Sequence, residues 1–171
     1  MSYIFFSNDR LKIEYKEDKY QLLVNGEHVK PSQVSTGETN AIALCYFFSM
    51  IGENKSMNDV HSKSYIIVID DPITSFDFEN KVGTLSYIKS QMLEFLCGNK
   101  STKFLVMTHD LMTFSHLLKI AEELREKLAW SSLGSRKFSL IANHYKLVNK
   151  KLDKINSEHE EYSNLFKTIY N

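Results

Sequence analysis

Residues 64–77 read SYIIVIDDPITSFD, and this stretch decides the fold class. Residues 65–69 are rich in isoleucine and valine and show no alternation, which is typical of a strand buried on both faces in a parallel sheet. Asp70 and Asp71 follow at the carboxyl end of that strand. Ligands of open α/β sheets bind at this end, and adjacent carboxylates are costly to hold together unless a cation or a proton lies between them. The stretch therefore predicts an α/β protein with a Mg²⁺-nucleotide site.

Further elements can be predicted on both sides of this strand. A second apolar strand is predicted over residues 103–108 and leads directly into His109. Ser35 or Thr36 can cap a helix that runs to about residue 50, and apolar residues recur at helical spacing over residues 79–96 and 111–128. The order of strand, helix, strand and helix is that of a parallel sheet flanked by helices.

The remaining segments are predicted from turn signals and polarity. Two antiparallel strands are expected at residues 11–15 and 20–24, with Asn25-Gly26 as a turn into residues 27–30. Residues 52–62 are polar and are interpreted as a surface insertion. A last strand is expected at residues 136–143, and a charged, amphipathic helical tail from residue 145 to the end.

Composition limits the classes of function. The 171 residues are 43% hydrophobic, enough for one globular domain with a good core. Lys plus Arg and Asp plus Glu are both 21, so no overall basic field indicates nucleic-acid binding, which weakens that role without excluding it. Cys45 and Cys97 are expected to be buried, reduced thiols. No apolar run reaches the roughly 18 residues of a membrane span, and we expect a cytoplasmic protein.

Four motifs together resemble those of ATP-binding-cassette ATPases. The stretch around Asp70 and Asp71 resembles the Walker B strand and D-loop, and VSTGE at residues 34–38 resembles the signature motif at the start of a helix. Asp77 lies where the D-loop aspartate is expected, and His109, 32 residues later, takes the place of the switch histidine. Each motif alone is weak, because Ser-Thr-Gly-Glu is a common helix start and a strand-end aspartate often only forms a turn. Their order makes the resemblance specific.

In detail, STGETNAIALCYFF, IDDP and THD look most like the ATPases of the bacterial anticodon nuclease group, PrrC and RloC. Those are phage-defence proteins whose ATPase head also resembles the heads of SMC and Rad50-type proteins. The resemblance covers roughly residues 10–145. It implies the carboxyl-terminal lobe of a P-loop NTPase, with parallel core strands and flanking helices. We therefore expect the chain to divide into a partial ATPase head, residues 1–145, and a helical tail, residues 146–171. The head would comprise a β-hairpin edge (1–34), a signature helix (35–51) and the Walker B to switch region (64–145).

The resemblance also implies roles for individual residues, with ATP and Mg²⁺ as cofactors. Asp70 would hold Mg²⁺ through water, Asp71 would be the general base, and His109 would sense the γ-phosphate. The base is glutamate in most cassettes and would here be one methylene shorter. The signature residues would close over a nucleotide bound to a second protomer, and Asp77 would lie across that dimer interface; the signature residues are Ser35, Thr36, Gly37 and Glu38.

The phosphate-binding loop of such ATPases is absent from the sequence. It requires a glycine-rich turn followed by Gly-Lys-Ser/Thr, whose amides and lysine hold the β- and γ-phosphates. None of the six glycines is followed by lysine. We therefore expect the chain to act with a P-loop-bearing half or a second ATPase protomer, with a nuclease effector as the further partner that the resemblance implies. The alternative is a remnant that binds a protein partner without turning over nucleotide, and the sequence leaves both classes open.

Overall fold

The computed structural model describes residues 11–16, 18–53, 55–73, 78–130 and 140–155. The chain divides into two compact units, Met1–Leu117 and Leu118–Asn171. The first unit contains the predicted motifs that fall within the described residues. None of the helices in the described ranges is both long and apolar enough to cross a membrane.

The described part of the first unit starts with an antiparallel three-stranded sheet. Strands β1 (Leu11–Lys16), β2 (Lys19–Val24) and β3 (Glu27–Val29) pair in that order. Asn25 and Gly26 join β2 to β3 with φ angles of 52° and 84°, the left-handed conformation that an Asn-Gly hairpin turn requires. This confirms the two predicted strands and the turn, and shows that the residues after the turn form a third strand.

A parallel pair of strands connected through a helix follows. Helix α1 (Thr36–Gly52) and the short helix α2 (Met57–Ser62) precede strand β4 (Ile66–Asp70). Helix α3 (Phe78–Gly98) then crosses to strand β5 (Lys103–Met107), which pairs with β4 in parallel. Helix α4 (Leu111–Trp130) begins after β5 and extends into the second unit. The predicted helices and both predicted core strands are therefore present within a few residues of their expected bounds.

Aromatic side chains form the packed centre of the first unit. Phe48 of α1 contacts Tyr87 and Phe95 of α3, with ring centroids 5.8 and 6.1 Å apart. Phe95 in turn meets Tyr65 and Phe104, which lie at the two core strands, at 5.6 and 6.4 Å. Burial of such rings contributes a large apolar area and fixes the orientation of the elements that hold them. The rings thereby join one face of the two-stranded sheet to α3, and α3 to α1.

The other face of this sheet corrects the expectation that β4 is buried on both sides. Ile67 and Ile69 are 2% and 6% exposed, whereas Ile66 and Val68 are 77% and 48% exposed. The continuous apolar run of β4 therefore alternates in burial, because the ring contacts of α3 that the described residues show lie on one side of the strand pair.

Part of the segment that was interpreted as a surface insertion, residues 52–62, is a helix that packs against the rest of the unit. Residues 57–62 form α2, in which Val60 is 4% exposed. Asn99 Nδ2 donates a hydrogen bond to the His61 carbonyl oxygen at 3.2 Å, and the His61 ring lies against Gly98. The capping box of Ser56 and Asp59 starts this helix, a signal that was present in the sequence as Ser-x-x-Asp.

Gly98→Ala is expected to destabilise the fold, because a Cβ at this position would lie 2.2 Å from the nearest His61 ring atom. Overpacking of this kind costs about 1–3 kcal/mol. Gly52→Ala is the matched control, since Gly52 also ends a helix and has nothing within 4 Å of an added Cβ. Chemical denaturation of both variants measures the difference. Equal stabilities, or a loss in Gly98→Ala that persists when His61 is changed to Ala, would contradict the packing argument.

The described part of the second unit differs from the expected helical tail. Strands β6 (Tyr145–Val148) and β7 (Lys151–Lys154) form an antiparallel hairpin. Asn149 and Lys150 connect them with φ angles of 48° and 64°, so a two-residue turn forms where asparagine tolerates the left-handed conformation. Residues 140–144 are not in a strand, whereas residues 131–139 and 156–171 lie outside the described residues.

Both cysteines are free thiols, as expected, but only one is substantially covered. Cys45 is half-buried on α1, and burial raises the pKa of its thiol. Cys97 is exposed near the end of α3, contrary to the expectation that it is buried. Phe95 and Leu96 are the buried residues of that helical turn, so the apolar pattern around Cys97 did not mean that Cys97 itself is buried.

Candidate functional site

The parallel pairing of β4 and β5 brings the ends of the two strands together. Asp70 is in register with Met107, and the Asp71 backbone N–H donates to the Met107 carbonyl oxygen at 2.8 Å. The residues that follow β5 are therefore placed beside the residues that follow β4. Asp71 and His109, which are 38 positions apart, are thereby brought together.

The Asp71 carboxylate is held by two residues that follow β5. The Thr108 hydroxyl donates to Asp71 Oδ1 at 3.1 Å, and His109 Nδ1 lies 2.5 Å from Asp71 Oδ2. Asp71 itself has a φ of 44°, in the left-handed region, where aspartate is among the few tolerated residues. This backbone conformation turns the carboxylate away from the strand direction and toward Thr108 and His109.

The contact with Asp71 determines which part of His109 remains available. The His109 side chain is 75% exposed and that of Asp71 is 26% exposed. Since Nδ1 faces the carboxylate, it is the nitrogen that bears the proton in this contact, and Nε2 is left for a ligand. A carboxylate that orients an imidazole in this way is a recurring arrangement in catalytic sites. Asp71 and His109 therefore form one unit.

Thr108 is the residue of this site to which sequence reasoning assigned no role. Its hydroxyl donates to Asp71 and also accepts from the Asp110 backbone N–H at 3.1 Å. It thus couples the end of β4 to the start of α4. The sequence places Thr108 directly before His109, which could have indicated a role in the site. A threonine at the end of a strand is common, however, and only its hydrogen bond to Asp71 distinguishes it.

Asp110 caps helix α4 next to this site. Its Oδ2 accepts hydrogen bonds from the Thr113 hydroxyl and the Thr113 backbone N–H, the latter at 3.0 Å. The Thr113 hydroxyl bond is the main cause that holds the pKa of Asp110 below its usual range. Lys81 of α3 adds a weak ion pair, with Nζ 3.8 Å from Asp110 Oδ2. The cap fixes where α4 begins and hence where His109 lies.

Asp110→Ala is expected to lower the free energy of unfolding by about 1 kcal/mol, the usual effect of losing a helix cap. Because the folded-state pKa of Asp110 is lowered, its contribution is present above the ordinary carboxyl pKa of about 3.9 and is lost as the pH falls through the folded value. Asp110→Asn is the control, since asparagine caps without titrating. Thermal unfolding between about pH 2 and pH 6 should show a shallower acid dependence for Asp110→Asn. If stability falls equally with decreasing pH in the wild type, Asp110→Ala and Asp110→Asn, titration of Asp110 does not contribute to the stability of the cap.

The predicted signature residues start helix α1. Glu38 Oε2 accepts hydrogen bonds from the Ser35 backbone N–H at 2.9 Å and from the Ser35 hydroxyl at 2.7 Å, and the Glu38 N–H donates back to Ser35 Oγ at 3.2 Å. Ser35 and Thr36 are exposed, whereas Gly37 and Glu38 are buried. Ser35 and Glu38 thus have an evident structural role as a capping box. Thr36, the first residue of the helix, is an exposed position in its first turn.

The structure brings only some of the predicted site residues together. Asp71 and His109 are in contact, and Asp70 lies next to them at the exposed end of β4. The signature residues belong to the separate turn before α1. Asp77 lies outside the described residues.

The side chains at the end of β4 suit the coordination of Mg²⁺ only in part. In the described ranges, no three or more His, Cys, Asp or Glu side chains are grouped so as to hold a metal ion. Asp70 is exposed at the strand end, and one exposed carboxylate suits Mg²⁺, which keeps several waters and takes further ligands from nucleotide phosphates. The residues present therefore fit a nucleotide-bound cation rather than a cage made by the protein alone.

Comparison with known proteins places these observations in a family. The model of the family described as "AAA domain" matches residues 2–171. Two curated relatives from Staphylococcus aureus are named "Uncharacterized chromosomal cassette SCCmec type IVc protein CR006", and one of them is from strain MRSA252. Each is 29% identical to this chain over 102 residues. Those residues are 58% of this chain and 14% of each relative. The matched region is thus a small part of much longer proteins.

Proposed function

Since the chain belongs to the AAA domain family, we propose that it is the signature and Walker B lobe of an ATP hydrolase. It would act with a polypeptide that carries the phosphate-binding loop, and the resemblance in its motifs favours the anti-phage ATPases of the anticodon nuclease group. Family membership supports an ATPase type of function and the use of nucleotide with Mg²⁺ in general. The residue roles and the anticodon nuclease likeness are the parts that we propose.

The observation that supports this proposal most is the contact between Asp71 and His109 at the ends of two parallel strands. A turn-forming aspartate has no need of an exposed histidine 38 positions later. ATP hydrolysis does need a carboxylate close to the γ-phosphate, and a donor where negative charge accumulates. Asp71 and His109 supply both at the sheet edge where ligands of this class of fold bind.

The two contacts of Asp71 indicate how it would act as a base. Thr108 donates to Oδ1 and His109 contacts Oδ2, which leaves a lone pair on each oxygen that could accept a proton from the attacking water. The His109 contact is the one expected to change, because its ring is 75% exposed and can turn toward the γ-phosphate. Thr108 would then keep Asp71 in place while His109 donates from its ring to the phosphate.

Mg²⁺ bound with ATP would neutralise charge on the phosphates, and Asp70 would position that cation through water. The first turn of α1 would face the γ-phosphate of a nucleotide held by a second protomer, where the helix amino terminus adds positive potential. Of its residues, exposed Thr36 is the one best placed to meet such a ligand. Ser35 and Glu38 would mainly keep that turn in shape.

A second candidate function is a binding module that does not hydrolyse nucleotide. It is favoured by the sequence, which has no Gly-Lys-Ser/Thr. In that case the Asp71 contacts would serve only to fix the strand ends. Mixing the chain with a P-loop half distinguishes the two candidates, since only the first predicts new ATP turnover.

The isolated chain is expected neither to bind Mg-ATP tightly nor to hydrolyse it, because it lacks the lysine and the amide nest that hold the phosphates. Isothermal titration calorimetry with Mg-ATP measures this directly. A P-loop half titrated under the same conditions is the positive control. Micromolar affinity for the chain alone would mean that its own residues hold the phosphates and that no partner half is needed.

A further inference from the structure

Basic residues are concentrated in one short part of the chain. Lys plus Arg and Asp plus Glu are each 21 overall, but residues 136–154 contain six Lys or Arg and one acidic residue, Asp153. The charge that is balanced over the whole chain is therefore uneven along it. Four of these cations lie in the described hairpin of β6 and β7: Lys146, Lys150, Lys151 and Lys154.

The hairpin presents its lysines to solvent. Every residue of β6 and β7 is exposed, as is Lys150 in the turn between them. Asp153 is directly across from Lys146 in the strand register, where opposite charges attract. Within the described ranges, no ion pair joins Lys150, Lys151 or Lys154 to a carboxylate. These three lysines therefore keep their charge available to a partner.

The register places the lysines on both faces of the hairpin and at its tip. Side chains alternate between the two faces along a strand, and directly opposite residues share a face. Lys154 is opposite Tyr145 on one face, and Lys151 is opposite Val148 on the other. Lys150 lies in the turn. Such a distribution suits contact with two walls and the floor of a groove better than contact with one flat surface.

The turn places a lysine where glycine would be less strained. Asn149 and Lys150 have φ angles of 48° and 64°. The turn between β2 and β3 has the same left-handed conformation, but its second residue is Gly26. This conformation is costly for residues other than glycine, asparagine and aspartate, and an unfavourable backbone of this kind points to function. The charge of Lys150 at the tip is thus better explained by a ligand than by the turn.

The dimensions of the hairpin fit the major groove of duplex DNA. That groove is about 12 Å wide and admits a two-stranded β-ribbon. A ribbon with its side chains is about 10 Å thick, the usual spacing of packed sheets. Leu147 and Leu152, opposite each other on one face and 70% and 69% exposed, would meet a groove whose thymine methyl groups are also apolar. The major groove of duplex RNA is deep and too narrow for side chains to read.

We propose that the β6–β7 hairpin binds duplex DNA by entering the major groove with its tip first. Lys151 and Lys154, on opposite faces, contact phosphates on the two walls of the groove. Lys150 reaches the floor, where guanine presents two acceptors. DNA binding is measured on the isolated chain without nucleotide, so its outcome does not depend on the ATPase proposal.

The test uses the full 171-residue chain and a fluorescein-labelled DNA duplex of about 20 base pairs. Fluorescence anisotropy at about 50 mM salt should give a Kd of about 10⁻⁴–10⁻⁶ M. Each lysine that replaces a counterion adds about −0.9 to the slope of log K against log salt, so three lysines predict roughly 40-fold weaker binding at fourfold higher salt. A chain that does not bind, or binds without salt dependence, would overturn the proposal.

Neutralising the hairpin tests where the DNA binds. Changing Lys150, Lys151 and Lys154 together to Gln should remove most of the salt dependence and weaken binding at least about ten-fold. Changing the same three to Arg keeps the charge and should preserve binding. The matched control removes three exposed lysines of the first unit, as Lys63→Gln, Lys100→Gln and Lys103→Gln together, and should bind as the wild type does. Equal losses in the two Gln variants would refute a site on the hairpin.

Lys150→Gly separates the charge at the tip from the stability of the hairpin. Glycine adopts the left-handed conformation without strain, so the melting temperature should stay the same or rise. Binding to DNA should nevertheless weaken severalfold, with a salt slope shallower by about 0.9. Wild-type binding by Lys150→Gly would mean that the tip does not reach the DNA and would overturn entry into the groove.

Two other ligands test the class of partner. A duplex RNA of the same length should bind at least about ten-fold more weakly than the DNA, because its major groove does not admit the ribbon. Oligoglutamate of equal charge should bind more weakly still. Equal affinity for the RNA, or tighter binding of oligoglutamate, would show that the hairpin takes another anionic partner and would overturn the proposal.

Discussion

Asp71→Asn should lower ATP turnover by the chain assembled with a P-loop half by roughly 10²- to 10⁴-fold, the usual effect of removing a general base. Asparagine keeps the size of the side chain and an oxygen that can accept the Thr108 hydroxyl bond. It also tolerates the φ of 44° at this position better than other residues do. Association with the P-loop half and the melting temperature should therefore remain close to the wild type. Steady-state phosphate release measures the effect.

Two further variants identify the role of Asp71. His109→Gln should also reduce turnover, and the double variant should lose much less than the product of the two single losses, because the two residues act as a unit. Asp110→Asn, in the adjacent helix cap, should keep turnover near the wild-type rate. Wild-type turnover in Asp71→Asn would show that another carboxylate is the base.

Thr36→Glu should abolish ATP-dependent association of the assembled heads while leaving the isolated chain as stable as the wild type. The carboxylate would repel the γ-phosphate that we expect opposite this turn, and at a helix amino terminus it interacts favourably with the helix dipole. Thr36 is the suitable position because Gly37 is buried and Ser35 caps the helix, so changes there would disturb the fold. Light scattering with and without a slowly hydrolysed ATP analogue measures association.

Ala43→Glu is the matched control, because Ala43 is exposed on the same helix two turns later. It adds the same charge away from the first turn and should associate as the wild type does. If Thr36→Glu still associates with ATP, or if Ala43→Glu is equally defective, the turn before α1 is an ordinary capped helix start.

Local sequence signals determined much of the first unit. The apolar run before Asp70, the Ser35-to-Glu38 capping box and the Asn25-Gly26 turn act over a few residues, so their structural results could be predicted. The strand order also implies that the residues after β4 and β5 lie at the same edge of the sheet, although the direct contact between Asp71 and His109 was not predicted.

Local signals failed where burial depends on distant packing. The composition of β4 suggested two buried faces, but burial depends on which elements reach each face, and the described contacts of α3 lie on one of them. Polar residues 52–62 looked like an insertion, yet α2 has a buried Val60 and a ring packed on Gly98. The hairpin turn at Asn149-Lys150 likewise interrupts a segment whose spacing suggested a helix.

The residues alone were sufficient to predict the order of strands and helices and to place the carboxylates at the strand end, and they contain no Gly-Lys-Ser/Thr. The folded chain was needed to show that Thr108 and His109 contact the two oxygens of Asp71, and that Ile66, Val68, Leu105 and Met107 are exposed. Side-chain contacts and burial arise between residues far apart in the chain, whereas propensity, capping and turn chemistry act between near neighbours.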